Sequence, residues 1–477
     1  MNEAYKTFQP IKNIFGVKYL KYLFIIISLF SGVALILLEN RWEYLGIISL
    51  PICFLLVSCL FHYRRHIWGV GGLIVFTLYC LRYTIFPVII VLGNYRCDIA
   101  VDIYQPYFNS ACLLMDIELI CVFIFISILS SHTIRKSRYL YNCKRREERA
   151  GYSHIFIPRI LLICIAVMLL YNIIMYLIYP ELFGLYWRIV FFESNEAERL
   201  SNLNILINKV PGFFYYLFKL TAELLRFLLI LVPVVVINNH KKINTVAKWT
   251  LTFILAAIAF SLISNEQLNS WMLCFVICFY MVIKYIKISK ILVLIGLSAV
   301  GLGFVFVMLF IANVKDLEGF ARIINNYFNG PINIANAMHF KDHAELGFAN
   351  LIQDFCSQIP LLERLTNSIS INVMYNKNYS FGGAILPTTG YGYIYFGYFG
   401  VALPAIMMCA SVIFFDRLTE QSESEAYKVV FMILATHFGL AVGMYNPIIY
   451  YSLWVYEGFV PCLTYFLDRK LQKFYYN

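Results

Sequence analysis

Apolar runs of about twenty residues, recurring along most of the chain, constrain it more than any motif does. A helix rises 1.5 Å per residue, and about 20 mainly apolar residues cross a hydrocarbon core about 30 Å thick. Twelve such runs can be read, near 20–38, 45–61, 69–92, 111–131, 155–178, 213–236, 249–263, 269–286, 291–313, 393–415, 428–446 and 450–467. The seventh is short, and only Asn446-Pro447 separates the last two, so eleven spans is the alternative. Composition agrees. The 477 residues are 61% hydrophobic and 14% charged, against about 45–50% and about 25% in ordinary globular domains. This excludes a soluble enzyme, a disordered chain and a disulfide scaffold. The sequence predicts an all-α polytopic membrane protein, a single integral domain over 1–477. The first apolar run follows Lys6, Lys12 and Lys18 with no small-residue cleavage site after it, so no cleavable signal peptide is expected.

Cationic loops set the expected orientation. With the N-terminus in the cytoplasm, 23 of the 38 Lys and Arg residues fall in inside segments and 10 in outside ones. Half of those 10 lie in one long loop, where the rule has little force. Both termini are therefore expected inside, and the net charge of +11 is mostly topology rather than a nucleic-acid footprint. The basic 132–154 loop reads as a topology signal beside anionic headgroups. Most of the 13 cysteines fall within spans, as small hydrophobes. Cys97 and Cys356 map outside, where they can pair or stay free.

The polar sequence is concentrated outside. A large extracytoplasmic loop is expected over 314–392, with smaller ones at 179–212 and 93–110. Long loops in compact proteins are usually functional or disordered, and this one is too rich in Ile, Leu, Phe and Tyr for disorder. Leu317, Phe320, Ile324 and Tyr327 give a helix over 316–327 one apolar face. Asn329-Gly330-Pro331 then signals a turn. A second helical stretch is expected near 344–357. The Gly- and Thr-rich tail, 380–393, has two readings. It is a flexible re-entry turn, or a backbone whose glycines admit a ligand closely.

Ionisable residues deep in a span cost roughly 2.5–3.5 kcal/mol each on insertion scales. Lys21 and Arg159 lie near span ends and can snorkel. Arg82 is mid-span in the third run, with Pro87 beyond it. Lys219, Glu223 and Arg226 share one face of the sixth. Two readings follow. In one they form a structural network, with Glu223, Glu457, Asp116 or Glu118 offsetting the cations. In the other a buried positive surplus meets an anion of two or more charges, which suits a lipid diphosphate and the planar arginine fork. His437, mid-span in the eleventh run, reads chiefly as a packing residue.

Two stretches carry a resemblance. Asn326-Tyr327-Phe328-Asn329-Gly330-Pro331 lies early in the long loop. Leu386-Pro387-Thr388-Thr389-Gly390-Tyr391-Gly392-Tyr393 closes it, followed by Tyr395-Phe396-Gly397-Tyr398-Phe399-Gly400. With about twelve spans, the chain resembles the Wzy-type polymerases of O-antigen and capsular oligosaccharide repeat units. The resemblance covers the whole chain in architecture and is concentrated in residues at 322–331 and 386–400.

The resemblance implies transfer of a growing glycan from undecaprenyl diphosphate onto a new lipid-linked repeat unit. The reaction takes place at the outer face of a bacterial cytoplasmic membrane, and a chain-length regulator is an expected membrane partner. It implies no nucleotide sugar, and no phosphate-cradling glycine loop is seen on the inner side. Charge develops on the departing diphosphate, so positioned cations would act most strongly in the transition state. Arg82, Arg226 and Arg322 are the candidates, with Lys219 secondary. His339 is the candidate base for the acceptor hydroxyl, because imidazole titrates near neutrality, with Asp342, His343 and Glu345 beside it. A hydrated surface patch is the other reading of that cluster. No outer loop carries an Asp-x-Asp pair, so no metal or cofactor is expected. The rivals are a ligase using the same donor, a flippase for the same lipid-linked oligosaccharide and a structural protein. A flippase would show two related halves, and no internal repeat is found.

Overall fold

The computed structural model describes residues 17–60, 69–149, 158–182, 209–229, 316–357, 359, 362, 369–378, 386–422, 424–444 and 447–476. The spans expected at 249–263, 269–286 and 291–313 lie outside these residues, as does most of the 179–212 loop. The described residues form helices and no strand. Six helices are long and apolar enough to cross a membrane, or seven if one bent pair counts as a span. They are Lys21–Leu38, Trp42–Leu60, Val70–Leu92, Val101–Leu129, Arg159–Ile178 and Ala426–Gly443, with Thr388–Gly400 and Leu403–Gln421 as the bent pair. This is the architecture of a multi-pass membrane protein.

In chain order the helices are α1 (Val17–Leu38), α2 (Ser49–Leu60), α3 (Val70–Cys80), α4 (Phe86–Leu92), α5 (Phe108–Arg149), α6 (Arg159–Ile178), α7 (Gly212–Leu229) and α8 (Leu317–Tyr327). Then come α9 (Pro331–His343), α10 (Phe348–Cys356), α11 (Ile371–Asn378), α12 (Thr388–Phe396), α13 (Leu403–Gln421), α14 (Glu425–Met444), α15 (Pro447–Leu453) and α16 (Phe459–Tyr476). The central element is α14, buried along nearly all its length and packed against α13 and α3. Small residues let it approach α3 closely. A Cβ at Gly71 would fall 2.6 Å from the Ala435 carbonyl oxygen. By contrast α1, α2 and α6 bury one side and expose a row of Leu, Ile and Val on the other, as lipid-facing helices do.

Helix starts leave backbone N–H groups without intrahelical partners, and here carboxylates from distant helices satisfy them. Asp416 of α13 accepts from the N–H groups of Gly69 (3.1 Å), Gly71 (3.2 Å) and Gly72 (2.9 Å) at the start of α3. Asp468 of α16 accepts from Ile160 (2.9 Å) and Leu161 (3.4 Å) at the start of α6, and from the Tyr427 hydroxyl (2.6 Å). These acids tie spans that are hundreds of residues apart.

Two π turns interrupt the bundle, Leu81–Ile85 between α3 and α4 and Trp454–Gly458 between α15 and α16. The first has an evident cause. A proline inside a helix collides with the carbonyl four residues back. For Pro87 that is Tyr83, which lies inside the π turn. Extra residues in such a turn widen the helix locally and are common at functional sites.

The described residues of the loop expected over 314–392 include buried helices packed into the bundle. The helix over Leu317–Tyr327 forms where the apolar spacing predicts it, with Asp316 capping its start by accepting from Gly319 N–H at 2.7 Å. After the Asn329-Gly330 turn the chain re-enters a helix at once, because Pro331 is pre-set for a first helical position. Helix α9 lies between α5 and α12, and its residues 331–338 are all buried. The Asn329 N–H donates to the Gly443 carbonyl of α14 at 3.2 Å. A non-helical backbone at such depth is tolerated only where protein surrounds it. The expected tenth span, 393–415, is likewise not one helix. The chain turns by 104° between Thr388–Gly400 and Leu403–Gln421, with Gly397 at φ +62°. Cys97 and Cys356 are free thiols.

Candidate functional site

The two stretches that carry the resemblance meet in space, and Arg82 joins them. From the π turn its Nε donates to the Asn329 carbonyl, in the first stretch. One terminal nitrogen donates to Thr389 Oγ1 at 2.8 Å, in the second. The same guanidinium holds Glu118 of α5 in a two-pronged pair, at 2.8 Å and 3.0 Å. Thr389 donates to Glu118 Oε2 and lies 3.3 Å from Asn329 Oδ1. The Tyr79 hydroxyl completes the carboxylate at 3.0 Å, and the guanidinium carbon sits 5.3 Å from the Tyr83 ring centroid. Arg82 is 4% exposed and Glu118 fully buried. The positive charge of Arg82 is therefore matched by Glu118, and each of its three nitrogens donates to protein. The pairing is one of the offsets the sequence allowed. The residues whose part the sequence did not single out are Asn329 and Thr389, which carry no charge to mark them.

Around this knot the loop is fastened to the end of α4. Asn325 Nδ2 donates to the Arg96 carbonyl at 2.9 Å, and Asn326 Nδ2 to Asp98 Oδ2 at 2.5 Å. Arg322 pairs with Asp98 at 2.6 Å, with more than half its side chain exposed. Arg322 is thus on the surface, outside the buried contacts made by Arg82.

His339 sits at the other end of α9, half-buried, where that helix emerges. Its ring stacks on His343 one turn later, with centroids 4.1 Å apart, and meets Tyr107 edge-on at 6.0 Å. The Tyr107 hydroxyl donates to Asp342 at 2.7 Å. Burial, and then the neighbouring His343, hold the His339 imidazole below its ordinary 6.5, against the pull of Asp342 and Asp102. The ring is therefore a neutral acceptor at pH 7. Next to it Lys341 donates to the Tyr393 carbonyl at 2.9 Å and lies 4.2 Å over that ring, tying the mouth of α9 to α12. Asp342, His343 and Glu345 are exposed.

Lys219 belongs to another group of helices. Its Nζ lies 5.4 Å over the Tyr456 ring, in the second π turn. In that turn Glu457 shares a hydrogen bond with His437 Nδ1 at 2.6 Å, so His437 is a polar partner of that acid rather than a plain packing residue. The side chains of Glu223 and Arg226 lie outside the described residues. A buried acid that the sequence did not flag is Asp354 of α10. It accepts from Tyr391 (3.0 Å) and Tyr395 (2.7 Å) of α12 and from the Ile371 N–H (2.7 Å) of α11. Burial raises its carboxyl above the usual range, against the pull of those hydrogen bonds. Among the described residues no group of three or more His, Cys, Asp or Glu is placed to hold a metal ion. Comparison with protein-family models, with curated proteins and with solved structures gives no match.

Proposed function

We propose that the chain is a Wzy-type membrane glycosyltransferase, polymerising undecaprenyl-diphosphate-linked oligosaccharide repeat units at the outer face of a bacterial cytoplasmic membrane. The observation that supports this most is the meeting of 326–331 with 386–393 around one buried arginine. Asn329 and Thr389, sixty residues apart in the chain, thereby bring the two segments that carry the resemblance together.

In this reading the acceptor hydroxyl oxygen attacks the anomeric carbon of the donor's reducing-end sugar. The bond from that carbon to the diphosphate oxygen breaks. The hydroxyl proton passes to His339, and undecaprenyl diphosphate leaves with the bonding pair. Arg82 acts as a positioning residue, because its donors hold Asn329, Thr389 and Glu118. Arg322 is the candidate cation at the surface, with Arg226 and Lys219 as the remaining diphosphate candidates from the sixth run.

The test is a deletion strain. It should still display surface glycan carrying a single repeat unit, and an unchanged chain-length distribution would overturn the reading. A His339→Ala variant at normal protein level should polymerise about 10²–10⁴-fold more slowly, the usual worth of a positioned base. An unchanged rate removes His339 from that role.

A further inference from the structure

A groove of about 320 Å³ opens where α12 turns into α13. Binding sites for small molecules span about 300–1,000 Å³, so one slender group fits. Its walls are Leu351, Ile352 and Phe355 of α10, Phe396 at the elbow and Met407 of α13. No charged residue lines it. Three tyrosines supply the polar atoms of the wall, and protein already engages all three hydroxyls. Tyr391 donates to Asp354 at 3.0 Å, Tyr450 lies 3.1 Å from Ser411 Oγ, and Tyr451 hydrogen-bonds to Tyr391. With these hydroxyls engaged and the other lining side chains apolar, the groove suits hydrocarbon better than a polar group.

The rim says where the occupant comes from. Of the lining residues, Ile352, Phe355, Phe396, Leu403 and Met407 are themselves exposed large apolar side chains. The apolar surface runs on along α13, where Phe414 is exposed as well. An apolar patch of this kind marks a binding or membrane surface, and α13 belongs to a helix pair apolar enough to span. The groove therefore opens sideways toward lipid. Its wall is also held in place, since Asp354 binds α10, α11 and α12 together.

We propose that this groove holds one acyl chain of a bilayer phospholipid, wedged beneath the elbow. With no charge on the lining, the chain alone is recognised and the headgroup is not read. The proposal requires only that the protein lies in a bilayer and stands apart from glycan transfer.

Full-length protein would be reconstituted in phosphatidylethanolamine–phosphatidylglycerol vesicles. A minor fraction of the phospholipid would carry a diazirine near the end of one acyl chain. Irradiation should label peptides containing residues 351–355 and 396–407 well above the lipid-facing residues of Lys21–Leu38. Ile352→Trp or Met407→Trp, which fill the groove, should cut that labelling about tenfold, equivalent to about two buried methylenes. Labelling of Lys21–Leu38 should not change, which also shows that the variants fold. Equal labelling of both regions, or labelling indifferent to both substitutions, overturns the proposal. So does labelling of the groove by a diazirine-bearing polyprenyl phosphate but not by the phospholipid.

Discussion

Arg82 shows what one residue can and cannot say in advance. Its position in an apolar run announced a polar environment, and that much was legible. Its partner was one of four acids, and only the folded arrangement selects Glu118, because the face that carries Tyr79, Arg82 and Tyr83 packs against α5. Breaking a buried pair strands the remaining charge and costs about 3–5 kcal/mol, whereas an apolar replacement of both partners is often near neutral. Arg82→Gln and Glu118→Gln should each sharply lower the thermal midpoint in detergent. The double variant Arg82→Gln, Glu118→Gln should lose clearly less than the sum of the two single losses. Additive losses would show that the two side chains do not act as a pair. His339 makes a second prediction at this scale. A base must be neutral, and this ring is held below 6.5. The midpoint of the acid limb of polymerisation should thus lie below pH 6.5, as the ring takes up its proton. A pH–rate profile whose acid limb lies above 6.5 would contradict the assignment.

Among the elements, α12 and its elbow depart furthest from the sequence reading. Glycines in 380–393 raised the choice between a flexible turn and a close-approach backbone. Residues 388–392 form a buried helix rather than a flexible turn, and what approaches their glycines is protein. A Cβ at Gly392 would fall 2.2 Å from the Gly400 carbonyl oxygen, and one at Gly390 would fall 2.5 Å from the Ala337 Cβ of α9. Periodicity could not reveal α9 itself, because a helix buried on all sides has no polar face to mark it. It found α8, whose one apolar stripe packs on α4. Gly392→Ala should therefore force the elbow open, with an overpacking cost of about 1–3 kcal/mol. Limited proteolysis should then cut near 397–402, where the parent resists. Gly212→Ala is the control, since the nearest atom to its Cβ is 4.0 Å away. Equal behaviour of the two variants would mean that the close approach at the elbow carries no stability. Asp354 belongs to the same element. Asp354→Ala would leave two tyrosine hydroxyls and the Ile371 N–H without their acceptor, each such loss costing about 1–3 kcal/mol, and should lower the thermal midpoint accordingly.

For the whole molecule, the loop charges divided the chain into two sets before any contact was known. The contacts join residues within a set. Lys21 reaches the Cys59 carbonyl at 3.2 Å, Arg417 the Leu129 carbonyl at 3.4 Å, and Asp416 the start of α3. At the other end Asn109 donates to the Trp42 carbonyl at 3.3 Å, Asn94 to Glu318 at 3.3 Å, and Arg322 pairs with Asp98. Charge counting proposes a division of the ends because it needs only the order of spans. It could not show which helices are neighbours, because in lipid the helix contacts are set by small residues and paired polar groups rather than by apolar pattern. Which end faces the cytoplasm is a separate matter, and the positive-inside bias assigns it to the Lys21, Arg417 and Asp468 end. An impermeant maleimide added to intact cells should therefore label an Asn94→Cys variant beyond the parent, since that position is exposed at the opposite end. A Lys470→Cys variant, also exposed, should label only after permeabilisation. The reverse pattern would invert the molecule and place His339, Arg322 and the mouth of α9 in the cytoplasm. A lipid-linked donor presented at the outer face would then never meet them, so this one measurement decides whether the proposed chemistry is on the right side of the membrane.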